Sequence, residues 1–378
     1  MAAAVNNMSY TMKFQNYYFV NVFILIFLFG CKTVFPQISL STKLDSYYDN
    51  NIYNNFTKVS DYVNSFTFSS GYDFESTSNN LQFYYIGNLS YYRENIFKSS
   101  NSHKLGAVNT YLFSENDNPL NVGVNYSFRN NKDEFSIYDF SIISLYANYR
   151  QTIETQNFLL AGYLFNKIDY KNFSIFSYNE NKGFLKFNSY LSENTALMLG
   201  VEIDNKNYID KFSDPSITNN NTQLTGYSQL TFYSGESTEL SGYFLLRHNL
   251  TTGTRYIDSE EFIYYEEEIF NDVYSNDGYE SGISISQFIS AGIMMSVQGI
   301  YIKRNFSNLP ISDPAGFSLN ELRTDKFYAL GTDLKFDLSF ITDNLIGSVK
   351  YNFLKNNSND YYYNYDNQMI SVSLEWGL

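Results

Sequence analysis

From about residue 37 to the C-terminus, apolar side chains recur at every second position, the period of a strand with two unlike faces. Four stretches show it most cleanly: Leu81, Phe83, Tyr85, Gly87, Leu89, Tyr91; Leu120, Val122, Val124, Tyr126, Phe128; Leu197, Leu199, Val201, Ile203; and Leu345, Gly347, Val349, Tyr351, Phe353. Between them stand mostly Asn, Ser, Gln, Lys, Glu and Gly. Helical spacing fails throughout, so the chain is predicted to be all-β. Alternation alone serves a sandwich, a propeller or a barrel equally well.

Connection lengths separate these three. Short links fall at 75–80, 114–119, 151–156, 192–194, 234–237, 290–292 and 342–344, rich in turn-forming Asn, Asp, Ser or Gly apart from the polar QTIETQ of 151–156. Longer links fall between them at 47–60, 93–102, 130–136, 171–182, 206–221, 251–278, 305–323 and 355–366, rich in Asn, Asp, Tyr and Ser. Tight turns at one end and long loops at the other describe a closed antiparallel transmembrane β-barrel of about 16 strands, within 14–18, with both termini on the turn side. Spanning strands must close into a ring, because an open edge leaves backbone N–H and C=O groups without partners in hydrocarbon. The first and last strands are therefore expected to pair. A ring of that size encloses more space than side chains can fill, which predicts a water-filled lumen.

The last strand adds a more specific feature. Ile370, Val372, Leu374, Trp376 and Leu378 alternate to the final residue, with Ser371, Ser373, Glu375 and Gly377 between them. This resembles the C-terminal insertion signal of bacterial outer-membrane β-barrel proteins, porins in particular. That family usually ends in Phe or Trp, and Leu378 departs from it. LDSYYDNNIYNNFTKVSD, from Leu44 to Asp61, also resembles the opening of β-barrel porins and of some export-associated barrels. The resemblance covers 37–378. It implies a place in a Gram-negative outer membrane among lipid and lipopolysaccharide, insertion by the barrel-assembly machinery, and passage of small hydrophilic solutes with short periplasmic turns and long extracellular loops. A homo-oligomer follows only by analogy, since sixteen-stranded porins are commonly trimers.

Residues 1–36 read as a secretory signal peptide, with Lys13 ahead of the apolar run YYFVNVFILIFLFG from Tyr17 to Gly30. Cleavage is expected between Gly30 and Ser39. The segment ending in Cys31 loosely resembles a bacterial lipobox, in which that Cys is lipidated, but Phe29 is bulky for the motif and a discarded signal residue is the favoured expectation.

Composition narrows the function. With 39 Asp+Glu against 25 Lys+Arg the formal charge is −14, so no nucleic-acid partner is expected. One Cys and two His leave too few soft ligands for a zinc or thiolate site, and neither a metal nor a cofactor is predicted. His103 (NSHKL) and His248 (LLRHNL) sit in no catalytic motif, and no GxGxxG, P-loop or GxSxG context occurs, so the chain is not expected to be an enzyme. A mean hydropathy of −0.32 beside 19% aromatic residues suits a chain whose two faces meet lipid and water in turn.

If the apolar set faces lipid, the opposite parity lines the pore. The candidate pore-lining cations are Lys43, Arg150, Lys167, Lys186, Arg247, Lys335 and Lys350; the candidate anions are Asp45, Asp169, Glu202, Asp204, Glu239, Asp333, Asp337 and Glu375. Such a mixed lumen sorts solutes by size and charge; alternatively the charges pair across strands and stiffen the wall. Tyr62, Phe66, Tyr72, Phe113, Phe128, Tyr170 and Phe353 are candidates for interfacial girdles. The acidic, aromatic loop 251–278 is expected to lie solvated at the surface; the alternatives are that it folds into the mouth as a constriction, binds divalent ions bridging lipopolysaccharide or recognises a ligand, and it lacks EF-hand spacing.

These features predict a passive porin-like diffusion channel. The alternatives are a barrel that exports or anchors a surface polysaccharide or assembly, and a secreted all-β adhesin. A propeller would show a repeat near 40–50 residues, which is not visible, and the chain is too short for a transporter barrel with a plug domain.

Overall fold

The computed structural model describes residues 38–76, 79–113, 118–154, 156–213, 218–251, 276–314 and 317–378. The expected leader with Cys31, and most of loop 251–278, lie outside the described residues. Sixteen strands follow one another: β1 (Ile38–Asp49), β2 (Asp61–Glu75), β3 (Asn79–Tyr92), β4 (Ser100–Phe113), β5 (Asn118–Asn131), β6 (Phe140–Glu154), β7 (Asn157–Tyr170), β8 (Tyr178–Ser192), β9 (Thr195–Tyr208), β10 (Asn220–Ser234), β11 (Thr238–Asn249), β12 (Asn276–Ser290), β13 (Ile293–Ser312), β14 (Ser318–Asp337), β15 (Leu345–Ser358) and β16 (Tyr365–Gly377). Each pairs antiparallel with its sequence neighbours, and β1 closes on β16 from Ser41↔Gly377 to Asp49↔Met369. The seam continues past the ladder, where the Leu378 N–H donates to the Leu40 carbonyl at 2.8 Å.

Following the pairs once around the ring returns to β1 about twenty residues along the strand, a stagger that sets the strand tilt at roughly 40° and the backbone radius at about 16 Å. No side chain reaches across that width. One ladder face carries a continuous apolar belt, with Leu44 57% exposed, Leu89 54%, Leu199 45% and Ile283 61%. Exposure of that extent is the signature of a surface solvated by lipid. Tight turns join the strands at the end that carries both strand termini, and Gly292 at φ +82° and Asn344 at φ +58° supply the left-handed backbone two of them need.

Two elements differ from expectation. The link 305–323 is mostly strand: β13 and β14 run on to Ser312 and from Ser318, rising beyond their neighbours as one long hairpin. Its ladder shifts register between Asn305 and Pro310, because a proline cannot donate to a ladder and is held at an irregularity. The link expected at 93–102 ends earlier, at the start of β4, so His103 lies within that strand, sharing the outer face with Tyr85 and Phe128 at ring separations of 6.0 and 4.8 Å.

The apolar core among the described residues is not inside the barrel wall. It is made by loops at the end away from the strand termini: Ile52 and Tyr53 from 50–60, Phe135 and Tyr138 from the 3₁₀ turn Asp133–Tyr138, and Phe176 from the 3₁₀ turn Ser174–Phe176. Tyr170, expected in a girdle, packs against this core instead.

Candidate functional site: the inner wall

Residues opposite one another in the ladder share a face, so the exposed apolar belt fixes which parity points away from it. On the face opposite the belt stand Lys43 and Asp45 (β1), Arg150 (β6), Lys186 (β8), Glu202 and Asp204 (β9), Glu239 and Arg247 (β11), Asp333, Lys335 and Asp337 (β14), Lys350 (β15) and Glu375 (β16). Lys167 and Asp169 do not. They share the outer parity of Tyr163 and pair there at 3.0 Å, past the apolar stretch at the long-loop end of β7. The reason is local: NFLLAGYLFNKIDY is apolar on both faces, and Leu160, Leu164 and Ile168 take the inner one. Of the residues expected to form an insertion signal, Ile370, Val372 and Leu374 lie in the outer belt, and the Trp376 indole donates to the Asp343 carbonyl at 3.1 Å in the adjacent turn.

Several inner charges meet. Lys43 Nζ lies 2.9 Å from Asp45, Lys350 Nζ 3.4 Å from Asp333, and Arg247 Nη2 3.2 Å from Glu280. Lys182 Nζ holds both Glu202 and Asp204, at 3.0 and 3.4 Å. Glu280 and Lys182 escaped the sequence reading because both lie at the edges of links whose strand extensions were not recognised. Arg150 stacks over Phe158 with 4.2 Å to the ring centroid. Asp337 accepts the Ser339 N–H at 2.9 Å and serves its turn.

Between these charges lies an aromatic lining that periodicity did not single out. Tyr84, Tyr146, Phe184 and Tyr243 each lie across a glycine of the adjacent strand, at Gly106, Gly123, Gly162 and Gly282, and a Cβ at any of those glycines would overlap the ring. The rings are thereby held against the wall at mid-height, each half-buried.

The long-loop end of the inner face has another character. Inward positions there are buried on β2, with Val63 at 0%, and from β9 to β16, with Tyr208 (3%), Asn221 (0%), Asn276 (3%), Arg323 (0%) and Asn356 (1%), whereas Tyr92, Asn131, Phe140 and Tyr170 are half-buried. Asp61 ties down the β3–β4 link, accepting N–H groups from Tyr62 at 2.7 Å and Asn95 at 2.8 Å. Asn51 donates to the Asn55 and Asp366 carbonyls at 2.8 and 3.1 Å, fixing the first loop to β16. Lys98, itself buried, directs its Nζ at the Tyr53, Tyr92 and Phe135 rings from 4.8, 5.8 and 6.0 Å. Arg323 Nε donates to Asp325 at 3.0 Å while the guanidinium stacks 3.3 Å from the Tyr363 ring centroid. Burial pushes the Tyr363 phenol, which lies in the loop after β15, above its usual pKa, against the opposing pull of Arg323.

No family model matches the chain, and no curated protein matches it. Solved structures do. A double variant of OccD1 (OprD) superposes with a TM-score of 0.51 at 12% identity, covering 92% of this chain and 97% of that one. OpdQ of Pseudomonas aeruginosa gives 0.51 at 11%, covering 91% and 99%, and OccAB2 of Acinetobacter baumannii gives 0.50 at 10%, covering 90% and 98%. With the closed ring of sixteen antiparallel strands, these similarities place the chain in the fold of the outer-membrane porins.

Proposed function

We propose that the chain is an outer-membrane channel for passive diffusion of small hydrophilic solutes, with selectivity set by a lumen of mixed charge and without chemistry of its own. The observation that carries this is the ring itself: about 16 Å of backbone radius around a polar face leaves room for water that side chains cannot occupy. Cations and anions on that face are interleaved, so the field crosses the lumen and sorts solutes without holding any one tightly. Conductance of the refolded barrel in a planar bilayer tests this, and ohmic steps are expected.

One observation favours a second reading, a barrel for export or anchoring of a surface polysaccharide or assembly. Inward residues at the extracellular end are buried on β2 and from β9 to β16, which supports a mouth narrowed along that arc. A barrel that inserts without conducting until its loops are shortened would favour that reading.

A further inference from the structure

This inference rests on the channel reading. At mid-height, two patches of inner wall combine tyrosine ring faces with neutral hydrogen-bonding groups. On β10–β12, Tyr227 and Tyr243 have ring centroids 6.3 Å apart and planes inclined by 28°, and Tyr243 rests across Gly282. The Tyr243 hydroxyl donates to Glu280 at 2.7 Å, and the other Glu280 oxygen accepts from Arg247 at 3.2 Å, so the charge in this patch is internally neutralised. Beside the rings, Gln229 donates to Ser241 at 2.9 Å and Tyr227 donates to Gln229. On β3–β6, roughly across the ring, Tyr84 and Tyr146 rest over Gly106 and Gly123, and Asn121 donates to Asn148 at 2.9 Å.

A ring held against the wall offers one π-face to the lumen and little freedom to lose when something stacks on it. Carboxamides and hydroxyls at its edge can exchange hydrogen bonds with a ligand's hydroxyls without a charge to neutralise. A pyranose has that profile, with C–H groups on its faces and hydroxyls around its rim. A simple ion is better served by the charges of β14 to β1, where Asp333, Lys350, Lys43 and Asp45 stand. We propose that these tyrosine and carboxamide patches bind pyranose rings, and that neutral oligosaccharides are a substrate class of the channel.

The probe is maltohexaose, measured two ways on the refolded barrel: equilibrium dialysis in detergent, and interruption of single-channel current. Saturable binding, weakened about tenfold by Tyr227→Leu with Tyr243→Leu and kept by the corresponding Tyr→Phe pair, is expected. If the leucine pair fails to fold, Gly282→Ala serves instead, since it displaces the Tyr243 ring without removing it, and it should weaken binding in the same direction. A conducting barrel that neither binds nor is interrupted by maltohexaose would overturn the proposal while leaving the channel reading intact. Interruption by benzoate and not by maltohexaose would also overturn it, pointing to planar anions. Tyrosine-dependent binding to a barrel that never conducts would support the sites and defeat the channel reading, so the two failures are distinguishable.

Discussion

Leu199 and Met198 are neighbours on β9, yet a charge at one meets lipid and at the other meets the lumen. Leu199→Arg is expected to cost about 2–4 kcal/mol, the range for a cation near the bilayer midplane. Met198→Arg should leave stability nearly unchanged and lower the conductance. Urea titration in lipid vesicles, followed by the fluorescence of Trp376, measures the first effect. On the proposed channel reading, ion pairs on the inner wall are expected to act on selectivity more than on stability, because they are partly solvated and individually weak. Lys350→Met leaves the Asp333 carboxylate without that partner and should shift the reversal potential in a salt gradient toward cation preference; Asp333→Asn should shift it the other way. No shift in either variant would mean that this pair lies away from the ion path.

Loops and strands differ in how they are held. The strands are fixed by ladders to two neighbours, whereas the loop core of Ile52, Tyr53, Phe135, Tyr138 and Phe176 depends on side-chain packing. Phe135→Ala, a large-to-small change in that core, should loosen these loops at up to about 3–5 kcal/mol of local stability without melting the ring. Limited proteolysis should then cleave within 132–139 while the barrel stays folded, and current traces should become noisier. Most strands were legible because their faces differ in polarity with period two. β7 was not, since both its faces are apolar, and Lys167 and Asp169 were therefore set on the wrong side. The long hairpin was obscured by Pro310, which reads as a break in sequence and is accommodated as a register shift. The loop core was illegible for another reason: DEFSIY and SIF are short aromatic pieces that resemble solvated loop until several meet in space. The inner tyrosines were missed likewise, because only pairing sets each beside its glycine.

For the molecule as a whole, closure is the decisive property. The β1–β16 ladder satisfies edge groups that would otherwise face hydrocarbon, at several kcal/mol each. Deleting 370–378 removes the partners of Ser41 to Tyr48, and such a chain should fail to reach the compact, heat-modifiable form on gels. A folded truncated barrel would show that the seam can be closed by other strands. On the proposed channel reading, the ring also makes the inner face a single compartment, in which ionic, aromatic and buried polar sectors would act on the same solute in succession. The most direct test is single-channel conductance of the refolded chain without residues 1–36 in a planar bilayer. Stable, ohmic steps are predicted from an open lumen, and a folded barrel that inserts yet never conducts would contradict it.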